Sequence, residues 1–220
     1  MTSTYPTPSR SESLTADITV PFPAFEDPPA EPVALLRAWL TEAVRREVRE
    51  PRALALATAD ADGRPSTRIV VAGEVTDRGL VFLTHRGSRK GHELAVNPWA
   101  SGVLYWRETS QQISVSGPVT PLSDEAVEAL WRARPVFTHA MTTASRQSEP
   151  LDGPEDVAAL RARALELARE GRALPCPPTF AAYELQFDRV EFWADGRDRL
   201  HERLQYEREG GQWRVVRLQP

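Results

Sequence analysis

The chain has 220 residues, a formal net charge of −4 and 41% hydrophobic residues, enough for one good core or at most two small domains. No basic tract extends beyond short motifs, which argues against general nucleic-acid binding, and no apolar run approaches the length of a membrane span. The single cysteine, Cys176, rules out an intrachain disulfide, no Cys/His spacing suggests a structural metal, and the N-terminus lacks a charged-then-apolar signal pattern, so a cytoplasmic protein without structural metal is expected.

Residues 1–30 are rich in Ser, Thr and Pro and read as a flexible N-terminal arm, in which Ile18, Val20, Phe22 and Phe25 carry apolar surface that a partner subunit could cover. Residues 31–220 read as one domain. A helix opens at Glu31-Pro32, with Val33, Leu36, Leu40 and Ala43 on its core face. From residue 53 the period changes to two: Leu54, Leu56 and Thr58 alternate with alanines, and Asp60-Ala61-Asp62-Gly63 makes a hairpin turn. Thr67–Val71 and Leu80–Thr84 read as two further strands around the turn Thr76–Gly79, forming a hairpin that leads into a helix from Ser88 to Val96. Strands resume at Ser101–Arg107 and Gln111–Gly117. Residues 123–148 are helical with a break at Pro135, and another helix spans about 154–170. The last strands are Ala181–Phe187, Arg189–Ala194, Leu200–Glu207 and Trp213–Leu218, with Gly210-Gly211 closing the final hairpin. About eight antiparallel strands with intervening helices make a mainly β protein, a closed or split barrel with helical additions.

Four constellations could carry chemistry. Arg68, Ser88, Arg89 and Lys90 combine guanidiniums, an ammonium, a hydroxyl and a helix N-terminus, a set that binds phosphate or forms a solvated surface turn. Lys90 is the only lysine, against 26 arginines. Thr84 adds a hydroxyl to this neighbourhood. Gln112 lies on a polar strand face with Ser114, where its amide meets either solvent or a planar heterocycle. Arg146-Gln147-Ser148 ends a helical stretch in a polar loop. Arg199, His201 and Arg203 share one face if their segment is a strand, and two guanidiniums flanking an imidazole suit an anionic ligand, or an ordinary solvated face. No Ser/His/Asp order with an elbow, HExxH, Walker or GxGxxG pattern is present.

The succession RIVV, FLTHRGSRK, QQ, RQS, EFW and RLHER resembles the pyridoxamine 5'-phosphate oxidase family over about residues 33–220. The resemblance implies an FMN-binding split barrel working as a homodimer with FMN at the interface. One subunit would contact FMN through Arg68, Ile69, Val70, Val71, Leu83, Thr84, Arg89, Lys90 and Gln112, with Ser88 nearby, and its partner through Gln147, Ser148, Trp193 and Arg203. Leu83 stands where the family usually has tyrosine. Arg199 and His201 match residues that sit over the flavin face and touch the substrate. The vitamin B6 enzyme holds its substrate phosphate with a lysine, a tyrosine, an arginine and a serine, and this chain has Gly73, Leu130, Arg134 and Thr138 at the matching positions. Losing the lysine and the tyrosine removes one charge-assisted bond, about 1.5–3 kcal/mol, and one phenol bond, about 1 kcal/mol. The segments REPRALALATADADGRPSTRIVV, NPWASGVLYWRETSQQI and TASRQSEPL resemble the phenazine-biosynthetic branch of the family. That branch implies oxidation of a partly reduced phenazine carboxylic or dicarboxylic acid, with O2 as final electron acceptor. Arg199 and His201 would orient the substrate, and Arg134 and Thr138 would bind it. Pyridoxamine or pyridoxine 5'-phosphate oxidation, and flavin binding without turnover, are the rival readings.

Overall fold

The structure, a computed structural model, describes residues 20–196 and 200–220. In chain order the elements are α1 (Pro32–Arg45), β1 (Ala53–Ala59), β2 (Pro65–Val71), β3 (Gly79–His85), α2 (Arg89–Val96), β4 (Trp99–Trp106), β5 (Gln111–Pro121), α3 (Asp124–Ala133), α4 (His139–Ala144), α5 (Pro154–Ala168), β6 (Phe180–Gln186), β7 (Arg189–Ala194), β8 (Glu202–Glu209) and β9 (Gln212–Arg217). The antiparallel order is β2-β1-β4-β5-β7-β8-β9. β5 is long enough to serve two ladders: Gln111–Ser116 pair with β7, while Val119–Pro121 pair with β6, which in turn carries β3. That switch of one strand between two sheets forms the corner of the split barrel.

Alternation decides which side chains fill the barrel. In β1, Leu54, Leu56 and Thr58 are buried between half-buried alanines, and in β5 Ile113 and Val115 point inward while Gln112 and Ser114 do not. α1 covers this core with Leu36, Trp39, Leu40 and Ala43, and Trp39 meets Phe192 edge-on at 5.2 Å between ring centroids. The turn at 60–63 is fixed by Asp60, whose Oδ1 accepts from the N–H groups of Asp62 and Arg64, and by Gly63 at φ 78°, a backbone region that glycine enters without strain. A second cluster, Val127, Trp131, Phe180 and Ala182, joins α3 to β6. No described helix is long and apolar enough to cross a membrane.

Several expectations change. The strands number nine among the described residues rather than about eight. β2 and β3 are not hairpin partners: β2 pairs wholly with β1, and only the connecting residues Gly73 and Glu74 bond to Val81. The alternating burial of β1 and β2 is satisfied by their two-residue-period hairpin, which leaves β3 to pair with β6. The helical region breaks at Pro135 as expected, into α3, a 3-10 turn at Val136–Thr138 and α4, because Pro135 lacks an N–H to continue the ladder, but α4 ends at Ala144 instead of 148. The arm is not free throughout. Residues 1–19 lie outside the described residues, but Phe22 is buried against Trp39 at 4.8 Å, Tyr206 Oη donates to Pro29 O at 3.1 Å, and Arg217 donates to Phe25 O at 2.6 Å. Aromatic burial within the same chain therefore covers Phe22, one of the apolar residues that a partner subunit could have covered, and Ile18 lies outside the described residues.

Candidate functional site

The pairing of β2 with β1 sets Arg68 opposite Leu56 and Ser66 opposite Thr58. At the far end of β3 the chain turns into α2, where Ser88 is the N-cap and its Oγ accepts from Gly91 N at 3.2 Å. This turn folds Lys90 back into the protein. Its Nζ donates to Thr84 Oγ1 at 3.0 Å, Gln147 Oε1 at 3.0 Å and Ser88 Oγ at 3.3 Å, and the residue is 6% exposed. Ser148 Oγ accepts from Arg89 N at 3.2 Å. Arg68, Thr84, Arg89, Lys90, Gln147 and Ser148, with Ile69, Val70, Val71, Gly73, Leu83, His85, Arg134, Thr138 and Thr142, line an open pocket of about 840 Å3, whereas Ser88 is fully buried behind the wall.

One end of the pocket is cationic. Arg68 donates to Leu56 O at 3.2 Å, Thr58 Oγ1 at 2.6 Å, Glu93 Oε2 at 3.1 Å and Ser66 Oγ, while Arg89 Nε donates to Glu93 Oε1 at 2.9 Å. Burial alone would raise the pKa of Glu93, but hydrogen bonds from Thr58, Ser66, Arg89 and Arg68 outweigh it and bring the carboxyl down to about 2. The pKa of Lys90 is lowered as well: burial disfavours its charge, Arg68 adds to that, and Glu93 opposes it. Among the described residues no carboxylate pairs with Lys90, so three cations face one carboxylate. A buried ammonium held only by neutral oxygens is costly unless an anion completes it. The donor set fits the phosphate of a flavin mononucleotide: Arg68, Arg89 and Lys90, the α2 N-terminus and the Thr84 hydroxyl would hold it, and the exposed Ile69 and Val71 offer apolar contact beside it, while Ser88, expected among these contacts, is fully buried and serves as the helix cap instead.

The other end is shaped by aromatic packing. Trp131 stacks on His139 at 4.1 Å and its Nε1 donates to Leu174 O at 2.7 Å, which fixes the C-terminal end of α3. Arg134 follows directly. Its guanidinium lies 5.6 Å from the Trp131 ring and 5.1 Å from the Phe180 ring, and it donates to Thr138 Oγ1 at 3.3 Å and Thr142 Oγ1 at 3.4 Å. Burial lowers its pKa. At Gly73 an added Cβ would stand 2.9 Å from Val81 O, so this part of the wall is bare because the strand backbones approach closely. Leu130 is drawn into the Trp131 cluster instead.

The remaining predicted residues lie elsewhere. Gln112, Trp193 and Arg203 are cross-strand neighbours in one row on the outward face, next to Tyr105. Arg203 Nε donates to Glu191 at 2.7 Å and Gln112 Nε2 to Ser114 Oγ at 3.3 Å. The resemblance grouped Gln112 with Lys90 and gave Gln147 and Ser148 to the partner, whereas Gln147 and Ser148 meet Lys90 and Arg89 of their own chain. Arg199 lies outside the described residues. His201 precedes β8 rather than sharing a strand face with Arg203. Its Nδ1 is 3.0 Å from Asp195 Oδ1 and its ring centroid 4.8 Å from that of Trp193. Glu93, Asp195, His85 and Thr142 were missed. The four-residue spacing of Arg89 and Glu93 on a helix could have exposed Glu93, while the others meet the site only through tertiary packing.

A split barrel with a phosphate-suited cationic pocket defines a class, and the chain matches it directly: residues 40–169 match the pyridoxamine 5'-phosphate oxidase family, and residues 180–220 match the pyridoxine 5'-phosphate oxidase C-terminal dimerisation region. The chain belongs to the pyridoxamine 5'-phosphate oxidase family of flavin-dependent oxidoreductases. More particularly, it is 52% identical over 210 residues to the dihydrophenazinedicarboxylate synthase of Pseudomonas chlororaphis, covering 96% of this chain and 93% of that one. The crystal structure of PhzG from Burkholderia lata 383 in complex with tetrahydrophenazine-1-carboxylic acid superposes with a TM-score of 0.88 at 52% identity, covering 93% of this chain and 99% of that one. The pyridoxine/pyridoxamine 5'-phosphate oxidase of Rubrobacter xylanophilus is 42% identical over 192 residues, covering 86% of this chain and 87% of that one.

Proposed function

We propose that this chain is an FMN-dependent oxidase that converts partly reduced phenazine carboxylic or dicarboxylic acids toward the aromatic tricycle, with O2 as final electron acceptor. The observation that carries this reading is the contrast between the two ends of the pocket. The cationic end supplies cations and a hydroxyl suited to a flavin phosphate, while the other end keeps Arg134 and Thr138 but has Gly73 and Leu130 in place of a lysine and a tyrosine. Such an end has room for a flat, apolar ring system and one firm anion contact. The similarity to the dihydrophenazinedicarboxylate synthases supports the same substrate class.

Bound in this pocket, FMN would supply a two-electron acceptor for the C–H bond that is broken. The protein's own contribution is positioning. Arg68, Arg89 and Lys90 hold the phosphate. Arg134 with the Thr138 hydroxyl receives a substrate carboxylate. Asp195 holds the His201 imidazole at Nδ1, and His201 with Arg199 orients the ring. We assign the work of Trp193 and Arg203 to the partner subunit's site, because their outward row lies in the segment that matches the dimerisation region. The enzyme is thus a homodimer with composite sites.

Anaerobic stopped-flow absorbance tests the reading. Mixing the yellow holoprotein with an enzymatically generated reduced phenazine carboxylate should bleach the flavin rapidly, and mixing with pyridoxine 5'-phosphate should not. Bleaching by pyridoxine 5'-phosphate alone restores the vitamin B6 activity. Bleaching by neither leaves a flavin-binding protein without turnover.

A further inference from the structure

His85 ends β3 and is 6% exposed, yet it lines the pocket and, among the described residues, its side chain makes no hydrogen bond; Nδ1 is enclosed by protein, so Nε2 is the ring nitrogen left to meet a ligand. Buried polar side chains are nearly always satisfied, and an exception in a pocket wall points to a partner that arrives with a ligand. The position of the imidazole identifies the partner's chemistry. His85 faces Phe180 across the β3–β6 ladder, and side chains of cross-strand partners share a face. The same Phe180 ring carries the Arg134 guanidinium at 5.1 Å, and among the described residues Arg134 has only the Thr138 and Thr142 hydroxyls as acceptors. Phe180 therefore neighbours both an unused imidazole and, among the described residues, a cation without a carboxylate partner, both on the wall of one pocket.

From this juxtaposition we infer that His85 is a specificity-determining residue that donates a hydrogen bond to a substrate carboxylate seated on Arg134. Burial, with Lys90 and Arg134 as the neighbouring charges, keeps His85 neutral, since each disfavours a second proton on the ring. With the Lys90 charge assigned to the flavin phosphate, the corner offers one fixed positive charge, Arg134, and neutral donors. That matches a carboxylate of charge −1 and falls short of a phosphate monoester, which carries about −1.5 to −2 near neutrality. The inference rests on the phenazine reading and names the group that makes the pocket prefer a carboxylated ring over the bare ring.

The test is equilibrium binding of three aromatic probes that are not turned over, phenazine, phenazine-1-carboxylate and phenazine-1,6-dicarboxylate, to the FMN-loaded enzyme and to His85→Leu and His85→Asn. The wild type should bind the carboxylates more tightly than phenazine. His85→Leu should weaken carboxylate binding about 10- to 100-fold, as for a lost hydrogen bond to a charged group, and leave phenazine unchanged. His85→Asn, which keeps an N–H donor, should recover part of the loss. Equal weakening of all three probes, or no weakening, overturns the role of His85 while leaving the phenazine reading standing. Failure of the wild type to bind any probe overturns both. A measurement without substitution guards against misfolding of the leucine variant. In wild-type protein with 15N-labelled histidine, phenazine-1-carboxylate but not phenazine should shift the ring-nitrogen signal that is missing from His85→Asn, and an unmoved signal refutes the contact.

Discussion

Replacing Glu93 with glutamine isolates the charge at the cationic end of the pocket. Glu93 is 5% exposed and accepts from Arg68, Arg89, Thr58 and Ser66. Its pKa is about 2 in the folded chain against 4.5 as the ordinary value, a difference that corresponds to on the order of 3 kcal/mol of folding stability above pH 4.5. The folded pKa is the lower one, so this stability is present above 4.5 and disappears as pH falls through 2. With these two pKa values, about half of it, roughly 1.4 kcal/mol, is left at pH 3. Glutamine is a near-isostere of the protonated acid and accepts the same hydroxyl bonds. The variant should therefore be less stable than wild type by about 2–3 kcal/mol at pH 7 and by about half as much at pH 3. That is a large share of a typical folding free energy of about 5–15 kcal/mol. Urea denaturation of both cofactor-free proteins across this range reads the difference directly. A deficit of equal size at pH 7 and pH 3 would show that Glu93 stabilises by shape or hydrogen bonding and not by its charge.

Other expectations bear on the same architecture. Lys90→Met should weaken FMN binding by about tenfold or more, measured by flavin fluorescence, while raising or leaving unchanged the thermal midpoint of the cofactor-free protein, because it removes a buried charge without a carboxylate partner. A large drop in that midpoint would mean that the three bonds to Lys90 hold the fold. Gly73→Ala should cost about 1–3 kcal/mol in urea denaturation, since the new Cβ meets a backbone oxygen at 2.9 Å, and a neutral result would show that the strands can separate. If the sites are composite, mixing Lys90→Met with Arg203→Ala subunits should regenerate one intact site in each heterodimer, about a quarter of all sites at random exchange. No recovered flavin binding on subunit exchange would place Arg203 outside the site.

Much of the fold is readable in the alternation of single strands. Leu54, Leu56 and Thr58 against alanines, and Ile113 and Val115 against Gln112 and Ser114, state both the strand and its buried face. Pairing is less legible. The turn at Thr76–Gly79 looks like a hairpin because Asp77-Arg78-Gly79 is good turn chemistry, but the choice of β6 as partner for β3 depends on residues about a hundred positions away. The phosphate-suited cluster is legible because Ser88, Arg89 and Lys90 are contiguous and cap a helix. His85 and Thr142 are not, since nothing local to either residue reports that Arg134 and Phe180 lie beside them. Arg199, His201 and Arg203 show the limit of period-two reasoning, because alternation places side chains only once a strand has begun, and β8 begins at Glu202.

The burial of Lys90 has a practical corollary. It is the only side-chain amine in the sequence, so among side chains an amine-selective reagent has a single target. Its lowered pKa leaves more of it in the nucleophilic free-base form at mildly alkaline pH than a surface lysine would have. Modification of this one amine, followed by mass spectrometry, becomes a built-in occupancy gauge: the rate of labelling falls as the pocket fills. Amine-coupled surfaces and crosslinkers, the usual tools for handling a protein without knowing its site, would here act through the chain's α-amine or on the pocket itself.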